Sequence, residues 1–312
     1  MIGAGAVATR HAATIAGFPD VRLVAVADEV AERASALAGR YGAAAYDGHD
    51  PMLEREELDA VYVCVPPYAH GAPELAVIGA GLPMFVEKPL AADLATAEML
   101  AARVEAAGLV TATGYHWRDM DTTERAAGLL NGHPVRLAVG SWLGRVAPPA
   151  WWTSRALSGG QTVEQVTHVL DTLRHLVGEV TQVSALAARV HPATAAADID
   201  QVAVASLRFA SGALGTLATT NLLDWHDDIG VRLITEGLAI ELTETELVVR
   251  DGNGLQRWPD SGEAKASTDR DFLDAVQGGP DRIRVPYAEA MRTHRLTCAV
   301  ARSAAEGRPV DV

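Results

Sequence analysis

Short apolar runs alternate with alanine-rich stretches from Ile2 to about Tyr115. The runs have the length of buried strands, and the stretches between them have the apolar spacing of helices. This order is typical of βαβ units and predicts a doubly wound parallel sheet. The predicted strands are Leu23–Ala27, Ala60–Val65, Met84–Glu87 and Val110–Gly114, and the predicted helices lie near Ala6–Ala16, Ala31–Tyr41, Pro73–Gly79 and Leu94–Ala107.

The pattern changes after about Asp119, where strand-like runs begin to follow one another directly. It predicts helices over Thr122–Leu130, Thr162–Val177 and Tyr287–Glu306, strands over Val135–Trp142, Thr181–Val190, Gln201–Phe209, Ala213–Asn221, Val231–Thr235, Ala239–Leu242 and Glu246–Arg250, and a polar loop near Asp260–Ser267. Turn residues between the runs favour an open, largely antiparallel sheet in an α+β domain. The chain is therefore expected to be α/β with two domains, residues 1–119 and 120–312, and its last helix could pack back on the first domain.

One face of the second sheet is expected to stay uncovered, because helices can cover only the other. Apolar residues such as Val202, Val204 and Leu207 would be exposed there in a monomer. An exposed apolar face favours self-association, so we expect a homodimer or a homotetramer.

Composition and charge restrict the class of protein. Hydrophobic residues make up 49% and charged residues 21% of the chain, and no apolar run reaches the ~20 residues of a membrane span. The net charge of −14 repels phosphate backbones and anionic lipid surfaces. Nucleic acid and membranes are therefore not expected as partners.

Compartment and chain start are also predicted. The cysteines, Cys64 and Cys298, lie far apart in apolar stretches and are expected to be reduced thiols in a cytoplasmic protein, with a disulfide between them as the alternative. The first residues lack the basic leader of a secretory signal. Met1 and Ile2 leave almost no strand before the glycines that follow, so several residues of a first strand are expected to be missing from this start.

A glycine motif follows at once, Gly3-Ala4-Gly5-Ala6-Val7-Ala8. It fits the dinucleotide fingerprint, in which Gly3 permits a tight turn and Gly5 lets the backbone N–H groups of Ala6 and Val7 approach a pyrophosphate. The N-terminus of the following helix supplies partial positive charge. In a glycine-rich chain a chance match is the alternative.

Asp28 closes the second predicted strand about 20 residues later, where a carboxylate accepts hydrogen bonds from the ribose hydroxyls of NAD. Glu29 follows it, and two acidic side chains would repel the 2′-phosphate of NADP. NAD is therefore predicted over NADP. The alternative is that Asp28 only caps the next helix.

Two further motifs follow strands of the first domain, Pro66-Pro67-Tyr68-Ala69-His70 and Glu87-Lys88-Pro89. A third, in the second domain, is Ser158-Gly159-Gly160 with Glu164, His168 and Asp171 after it. Together with the glycine motif, these resemble the glucose–fructose oxidoreductase, inositol dehydrogenase and MocA (Gfo/Idh/MocA) family over nearly the whole chain.

The resemblance implies an oxidoreductase with a Rossmann domain, acting on sugars, cyclitols or related alcohols and ketones at a site between its two domains. Lys88 matches the family's catalytic lysine, and His168 matches its catalytic histidine. Glu164 stands where inositol dehydrogenase-like members carry Asp, and we include it as a catalytic candidate.

The same chemistry can be argued from the residues. Removing a hydride from a carbinol carbon requires loss of the hydroxyl proton, so the site needs a base and a cation that stabilises alkoxide charge. His168 and Lys88 are of these types. Over the predicted helix Thr162–Val177, Glu164, His168, Asp171 and His175 share one face, and Glu164 or Asp171 could orient the imidazole. A solvated helix face and an exposed lysine paired with Glu87 are the alternatives.

Other site residues follow from position. The predicted cofactor contacts are Gly3, Gly5, Ala6, Val7, Asp28, Pro66, His70, Glu87 and Lys88. For His70, capping of the next helix is an equal alternative. The predicted substrate contacts are Tyr115, Arg118, Trp152 and Asp171, since aromatic faces suit sugar C–H surfaces and a guanidinium binds hydroxyls or a carboxylate.

The leading hypothesis is thus an NAD-dependent enzyme with a small sugar-like substrate. An NADP-dependent ketosugar reductase and a non-catalytic NAD-binding sensor are the alternatives. No metal is expected, because the His and acidic residues form no compact ligand motif.

Overall fold

A computed structural model describes residues 1–191 and 197–312 of the chain. It divides into two compact units, the first formed by 1–91, 95–114 and 265–291 and the second by 92–94, 115–264 and 292–312. Residues 265–291 thus group with the first unit, unlike in the predicted division at Asp119. Among the described residues, no helix is both long enough and apolar enough to cross a membrane.

The first unit contains short parallel strands, each preceded or followed by helices. The strands are β1 (Ala25–Ala27), β2 (Ala44–Tyr46), β3 (Val61–Val63), β4 (Met84–Val86) and β5 (Thr111–Thr113), and the helices are α1 (Ala6–Ile15), α2 (Ala31–Tyr41), α3 (His49–Arg55), α4 (Ala72–Gly79), α5 (Leu94–Ala107) and α10 (Ala264–Val276). Ile2 makes a parallel bridge to Ala27 on one side and to Val63 on the other. The order β2-β1-Ile2-β3-β4-β5 is that of a doubly wound Rossmann sheet, which confirms the predicted fold class.

The second unit is built on a nine-stranded sheet. Its helices are α6 (Asp121–Leu130), α7 (Arg155–Ser158), α8 (Gln161–Glu164), α9 (Thr167–Val177) and most of α11 (Tyr287–Glu306), and its strands are β6 (Leu137–Leu143), β7 (Val180–Ala188), β8 (Val202–Phe209), β9 (Leu214–Thr220), β10 (Asp228–Ile234), β11 (Ala239–Thr243), β12 (Glu246–Asp251), β13 (Gly254–Pro259) and β14 (Val310–Asp311). The order is β13-β12-β11-β10-β6-β9-β8-β7-β14. Every pair is antiparallel except β6 and β9, so the sheet is largely antiparallel as predicted.

The helix predicted over Thr162–Val177 is wrong as a single element. It is divided into α8 and α9, because the N–H of Val166 bonds to the carbonyl of Gln161, five residues back. This wider turn interrupts the ladder of a regular helix. Glu164 therefore lies in a short helix of its own and not one turn before His168 on a common face.

The exposed face of the sheet also needs one correction. Along β8 the side chains alternate, and Val204 is 48% exposed whereas Leu207 is 2% exposed. Leu207 has the parity of the buried face, because successive strand residues point to opposite sides. On the exposed face Leu186 lies opposite Val204, and Leu214 lies opposite Leu137.

Candidate active site

The glycine motif forms the turn between Ile2 and α1. Gly3 has a φ of 93°, and a Cβ there would lie 2.3 Å from the Cys64 carbonyl oxygen, so only glycine fits. Gly5, Ala6 and Val7 are exposed at the start of the ten-residue α1, and within the described residues no side chain caps this end. Exposed N–H groups at a helix N-terminus fit the pyrophosphate of a dinucleotide.

Asp28 lies beside this turn, directly after β1. Its Oδ2 accepts a hydrogen bond from the N–H of Ala4 at 2.7 Å, and its Oδ1 accepts one from Val30, the residue before α2, at 2.8 Å. The carboxylate therefore supports the glycine turn and the start of α2. It is half-buried, so part of it still faces solvent.

We expect NAD(H) to bind more tightly than NADP(H), because a 2′-phosphate would meet the negative charge of Asp28. Calorimetric titration of both cofactors measures this preference, and tighter binding of NADP(H) would contradict it. Asp28→Asn keeps the size of the side chain and should narrow the preference. A matched control is Glu105→Gln, which removes an exposed carboxylate near the C-terminal end of α5 in the same unit.

Glu87 and Lys88 follow β4 directly. Glu87 is 5% exposed, and its carboxylate accepts hydrogen bonds from His11 at 2.9 Å, Arg10 at 3.1 Å and the backbone N–H of Lys88 at 3.0 Å. The predicted contact of Glu87 with a cofactor is therefore not supported, since its oxygens are engaged inside the protein. Lys88 is half-buried at the carboxyl end of the parallel strand, where ligands bind in doubly wound sheets.

His70 lies between the turn after β3 and helix α4. Its imidazole has no exposed surface, and Nδ1 is 2.5 Å from Oε1 of Glu74, whose Oε2 accepts the N–H of Gly71. Burial raises the pKa of Glu74, but the charge and hydrogen bond of His70 outweigh it, and the pKa is lowered overall. These contacts favour the capping role for His70. Pro66 stands half-buried just before, at the start of the 3-10 turn Pro67–Ala69.

His168 lies in the first turn of α9 within a group of aromatic rings. The ring centroids of Trp117 and Trp142 are 5.7 and 6.4 Å away and nearly parallel to the imidazole, and those of His116 and Tyr115 are 5.1 and 5.9 Å away and steeply inclined. Indole faces attract a cation, so they favour the imidazole after it has taken up a proton. The surrounding rings also restrict its rotation, as a positioned base requires.

Glu164 is bonded to a buried indole. The Nε1–H of Trp152 donates to Oε2 of Glu164 at 2.6 Å. Trp152 itself has 0% exposure, so it does not offer its face to a substrate as predicted. It orients the Glu164 carboxylate instead.

Three more predicted substrate contacts also lie in the interior. Arg118 and Asp171 form a two-bond ion pair at 2.7 and 2.8 Å, with 6% and 1% exposure, and Thr293 donates to the same carboxylate at 2.6 Å. Tyr115 has 0% exposure and shares a hydrogen bond of 2.7 Å with Thr167, next to His168. These three residues support the helix that carries His168. The charges of Arg118 and Asp171 are paired with each other inside the protein.

Sequence reasoning missed one residue beside His168 in the second unit and one beside Glu87 in the first. Trp142 was read only as part of a strand, and His11 only as part of the first helix. A histidine on the apolar face of a helix that follows a glycine turn was the available signal for His11. No pattern in the sequence places Trp142 beside His168, because the two are brought together by packing of α9 on β6.

Comparison with known proteins agrees with both units. Residues 1–115 match the model of an oxidoreductase family with an NAD-binding Rossmann fold, and residues 132–240 match the GFO/IDH/MocA C-terminal domain. The chain is 28% identical over 302 residues to myo-inositol 2-dehydrogenase of Thermotoga maritima, covering 89% of this chain and 88% of the relative. It is 26% identical over 328 residues to inositol 2-dehydrogenase of Rhizobium meliloti, covering 100% and 98%.

A solved structure shares the fold along the whole chain. Levoglucosan dehydrogenase in complex with NADH and levoglucosan superposes with a TM-score of 0.88 at 21% identity, covering 100% of this chain and 98% of that one. Two domain models that together span most of the chain, and relatives that align from end to end, lead to one assignment. The chain belongs to the Gfo/Idh/MocA family of NAD-binding oxidoreductases.

Proposed function

We propose that this enzyme transfers a hydride between NAD(H) and a secondary alcohol or ketone of a sugar, cyclitol or related polyol. The observation that carries the proposal is the imidazole of His168, buried at the start of α9 and enclosed by aromatic rings. The names of the inositol dehydrogenase relatives support a cyclitol-like substrate. When bound, NAD accepts or returns the hydride.

In this proposal His168 takes the proton of the reacting hydroxyl, and Lys88 stabilises the negative charge on its oxygen. The sequence has two lysines, Lys88 and Lys265, and its other basic side chains are arginine and histidine. An ammonium at position 88 is a compact charge that can approach one oxygen closely, whereas a guanidinium spreads its charge over a plane. This usage supports a specific role for Lys88. We propose that Glu164 assists from α8.

The experiment is a screen of sugars, cyclitols and sugar acids with NAD at mildly alkaline pH, followed by NADH absorbance. Turnover of at least one polyol is expected. Tight NAD binding without turnover of any of these substrates would overturn the enzymatic proposal and favour an NAD-binding sensor. Turnover only with NADP(H) would favour the ketosugar reductase.

We also propose that the chain forms a homodimer or homotetramer through the exposed face of its large sheet. Leu186, Val204 and Leu214 are 69%, 48% and 53% exposed on adjacent strands of this face, and Ser184, Ser206 and Thr216 continue it with small polar groups. A broad face of this composition suits a second copy of itself, since an isologous contact needs only one surface. Cytoplasmic location is proposed as well, supported by the buried thiol of Cys64.

We expect light scattering at micromolar concentration to give the mass of a dimer or tetramer. Val204→Glu should lower the mass to that of a monomer, because a carboxylate would then lie in the middle of the apolar contact. The control is Met99→Glu, at a 39% exposed position of helix α5 in the first unit, which should leave the mass unchanged. A monomeric unchanged protein would contradict the assembly.

A further inference from the structure

The first unit contains a buried charge network, formed by Asp269, His11, Arg10 and Glu87, that ends at the backbone of Lys88. His11, on α1, is 2% exposed and lies between two carboxylates: Nδ1 is 2.6 Å from Asp269 on α10, and Nε2 is 2.9 Å from Glu87. Arg10 adds a bond of 3.1 Å to the same oxygen of Glu87. The other oxygen of Glu87 accepts the backbone N–H of Lys88 at 3.0 Å.

Each hydrogen bond in this charge network restricts the orientation of the next side chain. An imidazole with carboxylates at both nitrogens can satisfy both of them only when both nitrogens carry a proton. Burial by itself lowers the pKa of His11, but the hydrogen bonds to Asp269 and Glu87 outweigh it and raise the pKa to about 9. Burial likewise raises the pKa of Glu87, but His11, Arg10 and Lys88 lower it to about 2. At neutral pH the central pair is therefore an imidazolium and a carboxylate.

The surroundings of this charge network are apolar and tightly packed. The rings of Tyr62 and Phe85 lie 5.3 and 4.9 Å from the imidazole, and a Cβ at Gly114 would come within 2.5 Å of the Glu87 carboxylate. Buried ion pairs contribute little net stability, because the cost of removing charges from water offsets their attraction. What such a pair supplies is one defined geometry, and here the geometry ends at Lys88.

We propose that His11 is a positioning residue for hydride transfer: its imidazolium holds the Glu87 carboxylate, which fixes the backbone from which Lys88 projects. The inference rests on the proposed function, in which Lys88 acts on the reacting oxygen. His11 itself does not touch substrate or cofactor in this account. It acts only through Glu87.

The test compares His11→Gln with the unchanged enzyme in kcat, NADH affinity and the state of Lys88. A displacement of about 1 Å can cost about 10²-fold in rate, so kcat should fall by roughly that factor while the Kd of NADH stays within about twofold. Because Lys88 and Lys265 are the lysines of the chain, protein labelled with ¹³C at lysine Cε gives separate signals for them. The Lys88 signal, assigned with Lys88→Ala, should shift or broaden.

Two further variants separate the possible failures. Phe272→Leu loosens the same core, where its ring packs 5.5 Å from Tyr62, and should lower the unfolding midpoint without changing kcat or the Lys88 signal. If Lys88→Ala lowers kcat and a folded His11→Gln does not, the positioning role is overturned and the proposed function stands. If Lys88→Ala leaves kcat intact, the proposed role of Lys88 fails instead.

Asp269→Asn keeps the test decisive if His11→Gln does not fold. Removing one carboxylate from the group of Arg10, Glu87 and Asp269 that faces the imidazole should lower the pKa of His11, which ¹⁵N signals of the imidazole report directly. We expect the kcat of Asp269→Asn to fall as the pH rises through the interval in which those signals titrate, because His11 loses its proton there. A kcat that stays constant through the titration would overturn the inference.

Discussion

His168→Ala should lower kcat by about 10²–10⁴-fold, the contribution of a positioned general base. The affinity for NADH should stay nearly unchanged, because His168 belongs to the second unit, whereas the glycine turn and Asp28 belong to the first. Steady-state kinetics with the substrate found in the screen gives kcat, and fluorescence titration gives the NADH affinity. A His168→Ala enzyme with near-normal kcat would move the base elsewhere, and Lys88 would be the next group to test.

Matched variants show whether the loss belongs to the imidazole itself. His175→Ala removes an exposed histidine from the same helix and should leave kcat unchanged. Lys88→Ala should cause a loss comparable to that of His168→Ala. Glu164→Gln should cause a smaller loss, because the amide oxygen can still accept the Trp152 hydrogen bond.

Asp171→Asn should destabilise the protein by about 3–5 kcal/mol, the range for removing one partner of a buried ion pair. The carboxylate has 1% exposure and receives two bonds from Arg118 and one from Thr293, and the guanidinium of Arg174 lies 3.9 Å away. An amide would remove the negative charge to which the buried guanidinium of Arg118 makes two bonds, whereas Arg174 would keep its two bonds to Glu179. Denaturant unfolding followed by fluorescence measures the free energy of unfolding.

The matched control for Asp171 is an ion pair on the surface. Arg257 and Glu246 also form two bonds, at 2.8 and 2.9 Å, but their side chains are 55% and 38% exposed. Glu246→Gln should therefore cost at most about 1 kcal/mol. If Asp171→Asn costs no more than this control, the interior ion pair does not stabilise α9 as we infer.

The first domain could be predicted well because its signals are local. A glycine that must adopt positive φ, as Gly3 does, is visible in the sequence, and so are buried strands such as Met84–Val86. Helix α10 was not predicted: the sequence indicated only a polar loop near Asp260–Ser267, because the first residues of the helix, near Ala264 and Lys265, are polar and small. Only its later apolar residues, such as Phe272, enter the core.

The site was harder to predict, because residue type does not reveal whether a side chain faces a ligand or the interior. Arg118 and Trp152 have the chemistry of substrate contacts, and the structure uses both inside the protein. The partners that decide this, Asp171 and Glu164, are distant in sequence, so no spacing rule connects them. The same holds for Glu87, whose hydrogen-bond partner His11 lies on another element.

The parallel pairing of β6 with β9 bears on how this protein folds. Neighbouring antiparallel strands such as β11 and β12 can form their hydrogen bonds starting from the tight turn between them. Parallel strands such as β6 and β9 can pair only after the long segment between them has brought their ends together. That intervening chain includes α9 and β8, and β6 pairs with β10 on its other side. The antiparallel strands β7 to β9 and β10 to β13 can each form locally, and β6 would join the two groups last, by pairing with β9. Such long-range closure predicts slow refolding, whose barrier depends on residues at this seam, among them Gly140, where a side chain would press against Val169.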